Sequence, residues 1–310
     1  ITHKLEEVIS LCNKVTIMRN GNVVETCNAK EENEKSLATK MLGKKLPEIT
    51  KVDNSSTEHK IAFKVNNIST EYHDPFLVDL QNISFEVKEG EIFGIAGIAG
   101  NGQSELMNIL TGEETLHDSS TIKFFNKNIA NLGPKERRNF SIAFVPEDRL
   151  GHSAIPQLSL SENVLLSQYG GNNFSKFGII DMNIIKKETE KIIEKFNVVT
   201  TSSESFAGSL SGGNLQKFII GREISSKPKL LIISHPTWGI DAGAELMIRQ
   251  SLIDLSKNGT SIIVISQDLD ELLEITNRLS VIYKGKLTDP INTNDITIEK
   301  LGLFMGGKIE

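Results

Sequence analysis

The residues with the clearest chemistry are Leu210, Ser211, Gly212, Gly213 and Asn214, which run straight into the amphipathic stretch Phe218–Ile224. A Ser and two Gly at a helix start leave the first-turn N–H groups open beside a hydroxyl, at the positive end of the helix dipole. Such a place suits a phosphate; in isolation it reads equally as a Ser N-cap after a Gly turn. A second phosphate-type stretch lies upstream. The apolar run Glu91–Ala96 leads into Gly97-Ile98-Ala99-Gly100-Asn101-Gly102-Gln103-Ser104, and Glu105–Leu110 has helical spacing. This strand–loop–helix order fits the phosphate-cradling template G-x-x-x-x-G-K-[ST] at Gly97, Gly102 and Ser104, with Gln103 at the Lys position. The glycines let backbone N–H groups surround phosphates, and Ser104 offers a hydroxyl to Mg²⁺. An amide at 103 cannot replace the lost positive charge at the outer phosphates.

Several further stretches stand around these two in a fixed order. The continuous apolar run Lys229–Ile233 predicts a fully buried strand, followed by Ser234, His235 and the turn to Asp241. Ser141–Val145 predicts a strand ending at Pro146-Glu147-Asp148-Arg149, and Ser261–Ser266 one ending at Gln267. Ile61–Ile68 and Ile83–Val87 alternate, as antiparallel edge strands do, with Tyr72 between them. Ser161–Ser167 and Ile184–Phe196 read as helices, the latter with Ile185, Ile192, Ile193 and Phe196 on one face.

In this order the stretches resemble the nucleotide-binding domain of an ABC transporter. The resemblance implies an α/β P-loop fold with a core parallel sheet, an antiparallel edge sheet and an inserted helical subdomain at about 150–225. It makes Leu210–Asn214 the signature that closes over ATP held by the opposite domain. Glu147 occupies the Gln-loop position and Asp241 the D-loop. Tyr72 stands where an aromatic stacks on adenine, and reads equally as a loop Tyr. Ser234 and His235 replace the Asp that holds Mg²⁺ and the Glu that polarises water; Gln267 replaces the switch His. His235 is a general base by type, but without a charge clamp or metal it has little to act on. Gln103, Ser234, His235 and Gln267 together predict a degenerate site, since phosphoryl transfer rests on positioning and charge stabilisation.

An internal repeat extends this picture. Ile1 aligns with Ile265, and at the same offset of 264 Leu5 meets Leu269, Glu7 meets Glu271, Asn13 meets Asn277 and Gly21 meets Gly285. Similarity fades over 22–36 and returns in register with Leu37/Leu301, Met41/Met305, Gly43/Gly307 and Lys44/Lys308. Fixed-offset self-similarity marks duplicated units. Residues 1–46 therefore read as the tail of a first ABC domain, the polar stretch 47–60 as a linker, and 61–310 as a second domain. His3, opposite Gln267, becomes the switch residue of the first domain's site. The chain begins Ile1-Thr2-His3-Lys4 and looks cut from something longer.

Net charge is −6, with no basic footprint for nucleic acid. No apolar run approaches the roughly 20 residues of a membrane span. Cys12 and Cys27 and the six His residues show no ligand spacing. Two fused ATPase domains without a span resemble the energising subunit of sugar and nucleoside importers. The Gly100–Leu106 stretch and Pro-Glu-Asp-Arg favour the nucleoside branch, with simple sugars as the alternative. The partners implied are two integral-membrane permease subunits, an extracytoplasmic substrate-binding protein and the first domain, with ATP and Mg²⁺ as cofactors, at the cytoplasmic membrane face. A soluble double ABC protein acting on ribosomes is the rival reading; the short polar linker and degenerate site argue against it.

Overall fold

The computed structural model describes residues 2, 5–19, 21–43, 60–116, 121–168, 174–176 and 179–308. The expected linker and His3 lie outside them, apart from Lys60. An N-terminal unit comprises α1 (Leu5–Leu11), β1 (Lys14–Arg19), β2 (Asn22–Asn28) and α2 (Glu34–Leu42). Next come β3 (Ile61–Ile68), β4 (Ile83–Lys88), β5 (Ile92–Ala96), α3 (Gln103–Thr111), β6 (Ile122–Phe124), β7 (Lys127–Asn128), α4 (Pro134–Asn139) and β8 (Ile142–Val145). A helical lobe follows: α5 (Leu160–Gln168), β9 (Ser175–Lys176), β10 (Ile179–Ile180), α6 (Met182–Lys195) and α7 (Gly212–Ser225). The chain then returns as β11 (Leu230–Ser234), α8 (Ala242–Lys257), β12 (Ser261–Ser266), α9 (Leu269–Ile275), β13 (Arg278–Tyr283), β14 (Lys286–Leu287), β15 (Ile291–Asn292) and α10 (Ile298–Met305).

Strands β13, β5, β12, β11 and β8 lie side by side, each parallel to its neighbour. Their apolar runs are continuous because both faces are covered. Along β11, Leu231 and Ile233 enter the core shared with the helical lobe and α8. Leu230 and Ile232 enter the other core, with α3 and the antiparallel sheet β4-β3-β6-β7. β8 and β12 split their side chains in the same way. Parallel strands end at a common edge, so the loops after β5, β8, β11 and β12 meet there.

The lobe is fastened to the sheet layer by buried charge. Glu223 on α7 accepts from Arg138 Nη1 at 2.8 Å and from Arg222 Nε at 2.8 Å. These two cations hold its carboxyl below the usual range against the opposing effect of burial. Within the lobe, Phe196 lies so close to α7 that a Cβ on Gly221 would meet its ring at 2.6 Å.

The repeat is visible element by element. Shifted by 264, α1 falls on α9, β1 on β13, β2 on the span of β14 and β15, and α2 on α10. The correspondence runs through 22–36, where sequence similarity fades, down to the 3₁₀ turns Ala29–Glu31 and Thr293–Asp295. The order of elements and the turn geometry therefore persist after the identities are lost. The N-terminal unit has its own small core of Val8, Ile17 and Leu37.

Candidate functional site

The glycine loop follows β5. Gly100 and Gly102 take φ of +81° and +108°, a region only glycine enters without strain. Gln103, the first residue of α3, is buried and turns back into the loop. Its Nε2 donates to Ile98 O at 2.7 Å, and its Oε1 accepts the Asn101 N–H at 3.0 Å. A Cβ on Gly97 would lie 2.6 Å from Gln103 Nε2, so the amide rests against the glycine itself. Asn101 braces the arrangement from outside. Its Nδ2 donates to Ile98 O at 2.8 Å, while its Oδ1 and O accept from the N–H groups of Lys284 and Gly285 at 3.0 and 2.9 Å. Where the motif would present backbone donors to a phosphate, one of them is already bonded to the loop's own side chain.

Ser234, Gln267 and Glu147 join this loop at the common sheet edge. Ser234 ends β11 in register with Ile265, and Ser266 ends β12 in register with Ala96. Ser234 is buried, whereas Ser104, Glu147 and Gln267 are exposed. His235 follows with φ of +46° and donates its N–H to Ile265 O at 2.8 Å. Its Nε2 stands 3.9 Å from Glu147 Oε2 and its ring 5.6 Å from that of Trp238. Burial lowers the imidazole pKa against the raising effect of Glu147 and Asp268, which favours the neutral ring. Mg²⁺ wants hard oxygen ligands, normally with a carboxylate. Ser104 and Ser234, the residues expected at the Mg²⁺-ligating positions, supply only hydroxyls, so they do not fit the ion and no step is assigned to it at this edge.

The signature occupies a different face. Ser211 precedes α7 in the N-cap position but makes no side-chain cap. Asn214 Nδ2 donates to Ser211 Oγ at 3.0 Å instead, and Asn214 Oδ1 accepts the Val199 N–H at 2.9 Å. The first turn of α7 is left without a side-chain cap, and Ser211 and Gly212 are exposed. Leu210 is half-buried against the lobe core. The atoms nearest a Cβ on Gly213 belong to Gly239 and Ile240, so the signature lies against the D-loop. Gln216 Nε2 adds a bond to Pro236 O at 3.1 Å, and Asp241 caps α8 by accepting the Ala244 N–H at 3.0 Å.

Tyr72 is fixed at the edge of α3. Its hydroxyl donates to Glu114 Oε2 at 2.6 Å, and its N–H to Asp79 Oδ1 at 2.7 Å. Two residues with no assigned role in the sequence reading also stand out. Arg149 reaches between signature and D-loop, donating from Nη2 to Trp238 O. Glu271 is buried beneath the end of β12, accepting from Ser266 Oγ at 2.9 Å, and burial pushes its carboxyl up to about 7. The Arg of Pro-Glu-Asp-Arg is the one sequence signal that pointed to the first; Glu271 enters the sequence reading only as the repeat counterpart of Glu7.

A parallel sheet with a glycine loop after β5, an antiparallel sheet on one face and a helical lobe carrying Leu-Ser-Gly-Gly define an ATP-binding cassette with the P-loop NTPase fold. Two solved structures show the same fold. The dimeric, post-hydrolysis form of an ATP-binding cassette bound to ADP and Pi superimposes with a TM-score of 0.64 at 23% identity, over 74% of this chain and 98% of that one. A nucleotide-free cassette from an ABC transporter gives 0.61 at 23%, over 75% and 92%. The ABC transporter family model matches residues 80–238, and the chain belongs to that family. It is 36% identical to the nucleoside import ATP-binding protein of Lactococcus lactis subsp. cremoris, over 100% of this chain and 61% of that protein. Against a ribose import ATP-binding protein of the same subspecies the figures are 35%, 99% and 61%. Against the guanosine import ATP-binding protein of Bacillus subtilis they are 34%, 97% and 58%. The chain spans about three-fifths of the length of these relatives.

Proposed function

We propose that this chain carries the second, degenerate cassette of a transport ATPase that energises nucleoside uptake through an ABC importer. The observation that carries the reading is the contrast between the two phosphate-type sites. The glycine loop is filled by Gln103 and lacks a cation. The first turn of α7 is uncapped, with Ser211 and Gly212 exposed. Head-to-tail pairing then sets Ser211 and Gly213 on the γ-phosphate of ATP held by the first domain. His3 serves that same phosphate as switch residue, and the first domain supplies the P-loop Lys and the Mg²⁺ ligands. Hydrolysis happens there, at the cytoplasmic face of the membrane; no described helix is long and apolar enough to cross one.

Exposure supports reading residues 1–46 as the end of that first domain. Leu11 is 80% exposed, while its counterpart Ile275 is 2% exposed. Met18 is 61% exposed, while its counterpart Ile282 lies fully buried beneath the glycine loop. Among the described residues β1 pairs only with β2, whereas β13 also pairs with β5. The unit thus has the surface expected if a sheet and P-loop of its own normally cover it. Of the two permease subunits of the assembly, one docks a short helix near Pro146, Glu147 and Asp148, and an extracytoplasmic binding protein delivers the solute.

Nucleosides are the favoured solute, supported by the nucleoside and guanosine importers among the relatives; the ribose importer at similar identity supports sugars as the second reading. Uptake of labelled nucleosides and of ribose is compared in cells carrying the full-length protein or its Ser211→Arg variant. Loss of nucleoside uptake alone is expected. Loss of ribose uptake alone transfers the assignment to sugars, and loss of neither removes the importer reading.

A further inference from the structure

Arg149 has an electrostatic problem within this chain. Its guanidinium is half-buried, and desolvation alone lowers its pKa. It forms no ion pair with a carboxylate among the described residues; the bond to Trp238 O is its one described polar contact. It is pressed against the first turn of α7. A Cβ on Gly212 would lie 3.0 Å from Nη1, and one on Gly239 would lie 3.4 Å from Nη2. A cation at a helix N-terminus stands against the positive end of the dipole, the reverse of the stabilising arrangement. Other buried or partly buried arginines here are satisfied: Arg138 and Arg222 by Glu223, Arg249 by Glu245 and Glu274, Arg278 by Glu91, and Arg137, which has no carboxylate, by five bonds to backbone carbonyls; Arg149 has one carbonyl.

An anion placed before Ser211 removes the conflict, since guanidinium and helix end then attract the same charge. The absence of a Cβ at Gly212 and Gly239 leaves room for the guanidinium between signature and D-loop. Resting on the reading that α7 faces ATP of the first domain, we propose that Arg149 is a phosphate-contacting residue of that composite site, supplying from the second cassette a positive charge to the γ-phosphoryl group. The carbonyl of Trp238 holds the side chain in place until the cassettes close. Because Arg149 follows Glu147 and Asp148 directly, phosphate contact also pulls on the loop assigned to permease docking.

The test uses the full-length subunit assembled with its permease, measuring ATPase turnover and inhibition by orthovanadate, which mimics the transferring phosphoryl group. Arg149→Lys keeps the charge; Arg149→Gln keeps a donor for the Trp238 carbonyl but loses the charge. The expected result is a fall in kcat of about threefold for Lys and about thirtyfold or more for Gln, with vanadate inhibition at least tenfold weaker in Gln. A purely structural tether predicts equal losses in both variants and unchanged vanadate inhibition, and that result overturns the proposal. If the Gln variant fails to fold, Arg149→Met, which also lacks the charge, takes its place: vanadate inhibition at least tenfold weaker than in Lys upholds the charge role, and equal inhibition in the two rejects it. Ser211→Arg separates this proposal from its foundation. Normal turnover in Ser211→Arg rejects the signature reading itself; lost turnover there with normal Arg149→Gln rejects only the role of Arg149.

Discussion

At the scale of single residues, Gln103 and Glu271 show how one side chain sets the state of a loop. Gln103 satisfies Ile98 O and the Asn101 N–H with its own amide, so a nucleotide must displace two hydrogen bonds and finds no cation in return. The isolated chain is expected to bind a fluorescent ATP analogue with Kd above ~1 mM. Gln103→Lys, restoring charge and emptying the loop, is expected to bind at least tenfold tighter. Micromolar binding by the unmodified chain would show that the loop is not closed. Glu271 makes a prediction about pH. Its folded pKa of about 7 exceeds the ordinary 4.5, because burial disfavours the carboxylate. The fold therefore binds this proton more tightly than the unfolded chain does. The contribution is fully present below about 4.5 and is lost as pH rises through about 7. Glu271→Gln keeps an acceptor for Ser266 without the titration. The drop in Tm from pH 5 to pH 8 is expected to be smaller in this variant than in the parent; equal drops would show that Glu271 does not titrate in this range.

At the scale of elements, β1 and β13 are the same strand in two environments. Ile282 on β13 is fully buried between sheet and glycine loop, and Met18 on β1 is largely exposed. In this chain, Ile282→Ala is expected to cost roughly 2–5 kcal/mol, whereas Met18→Ala stays within about 0.5 kcal/mol. In the full-length protein Met18→Ala is expected to cost a similar 2–5 kcal/mol, because the first domain's own loop then covers it. Chemical denaturation of both forms checks this. Equal, small effects of Met18→Ala in the two forms would remove residues 1–46 from a first domain.

For the whole molecule, the prediction is asymmetry. In one uptake assay with equal expression, Ser211→Arg fills the space at the signature and Gly213→Asp sets a negative charge against the phosphate; both are expected to abolish transport. His3→Ala is expected to lower turnover more than ATP affinity, and Gln103→Ala to have a much smaller effect than either signature variant. Damage from Gln103→Ala equal to that from Gly213→Asp would mean that both sites work. The isolated chain is expected to release phosphate well below ~1 s⁻¹, the low end for ordinary enzymes. Crosslinks from the permease are expected at Pro146, Glu147 and Asp148; crosslinks confined to 295–300 would place the docking surface elsewhere.

The sequence by itself determined the fold and the order in which the candidate motifs follow its strands. Strands such as Leu230–Ser234 and Ser261–Ser266 are legible because a strand buried on both faces must be apolar throughout. The glycine loop is legible because only glycine takes the backbone angles at Gly100 and Gly102. The repeat was readable where identities survived and fell silent over 22–36, where backbone geometry is kept by many different sequences. What only the tertiary structure decided is where polar side chains turn. Ser211 reads in sequence as a helix cap, yet it is Asn214 that holds its hydroxyl, leaving the first turn without a side-chain cap. Gln103 reads as a missing charge; only its folded position makes it the filler of its own loop. Arg149, Gly212 and Trp238 stand far apart along the chain, and no local pattern links them. Their meeting depends on the helical lobe docking on the sheet edge, and long-range packing of that kind is what a one-dimensional pattern does not encode.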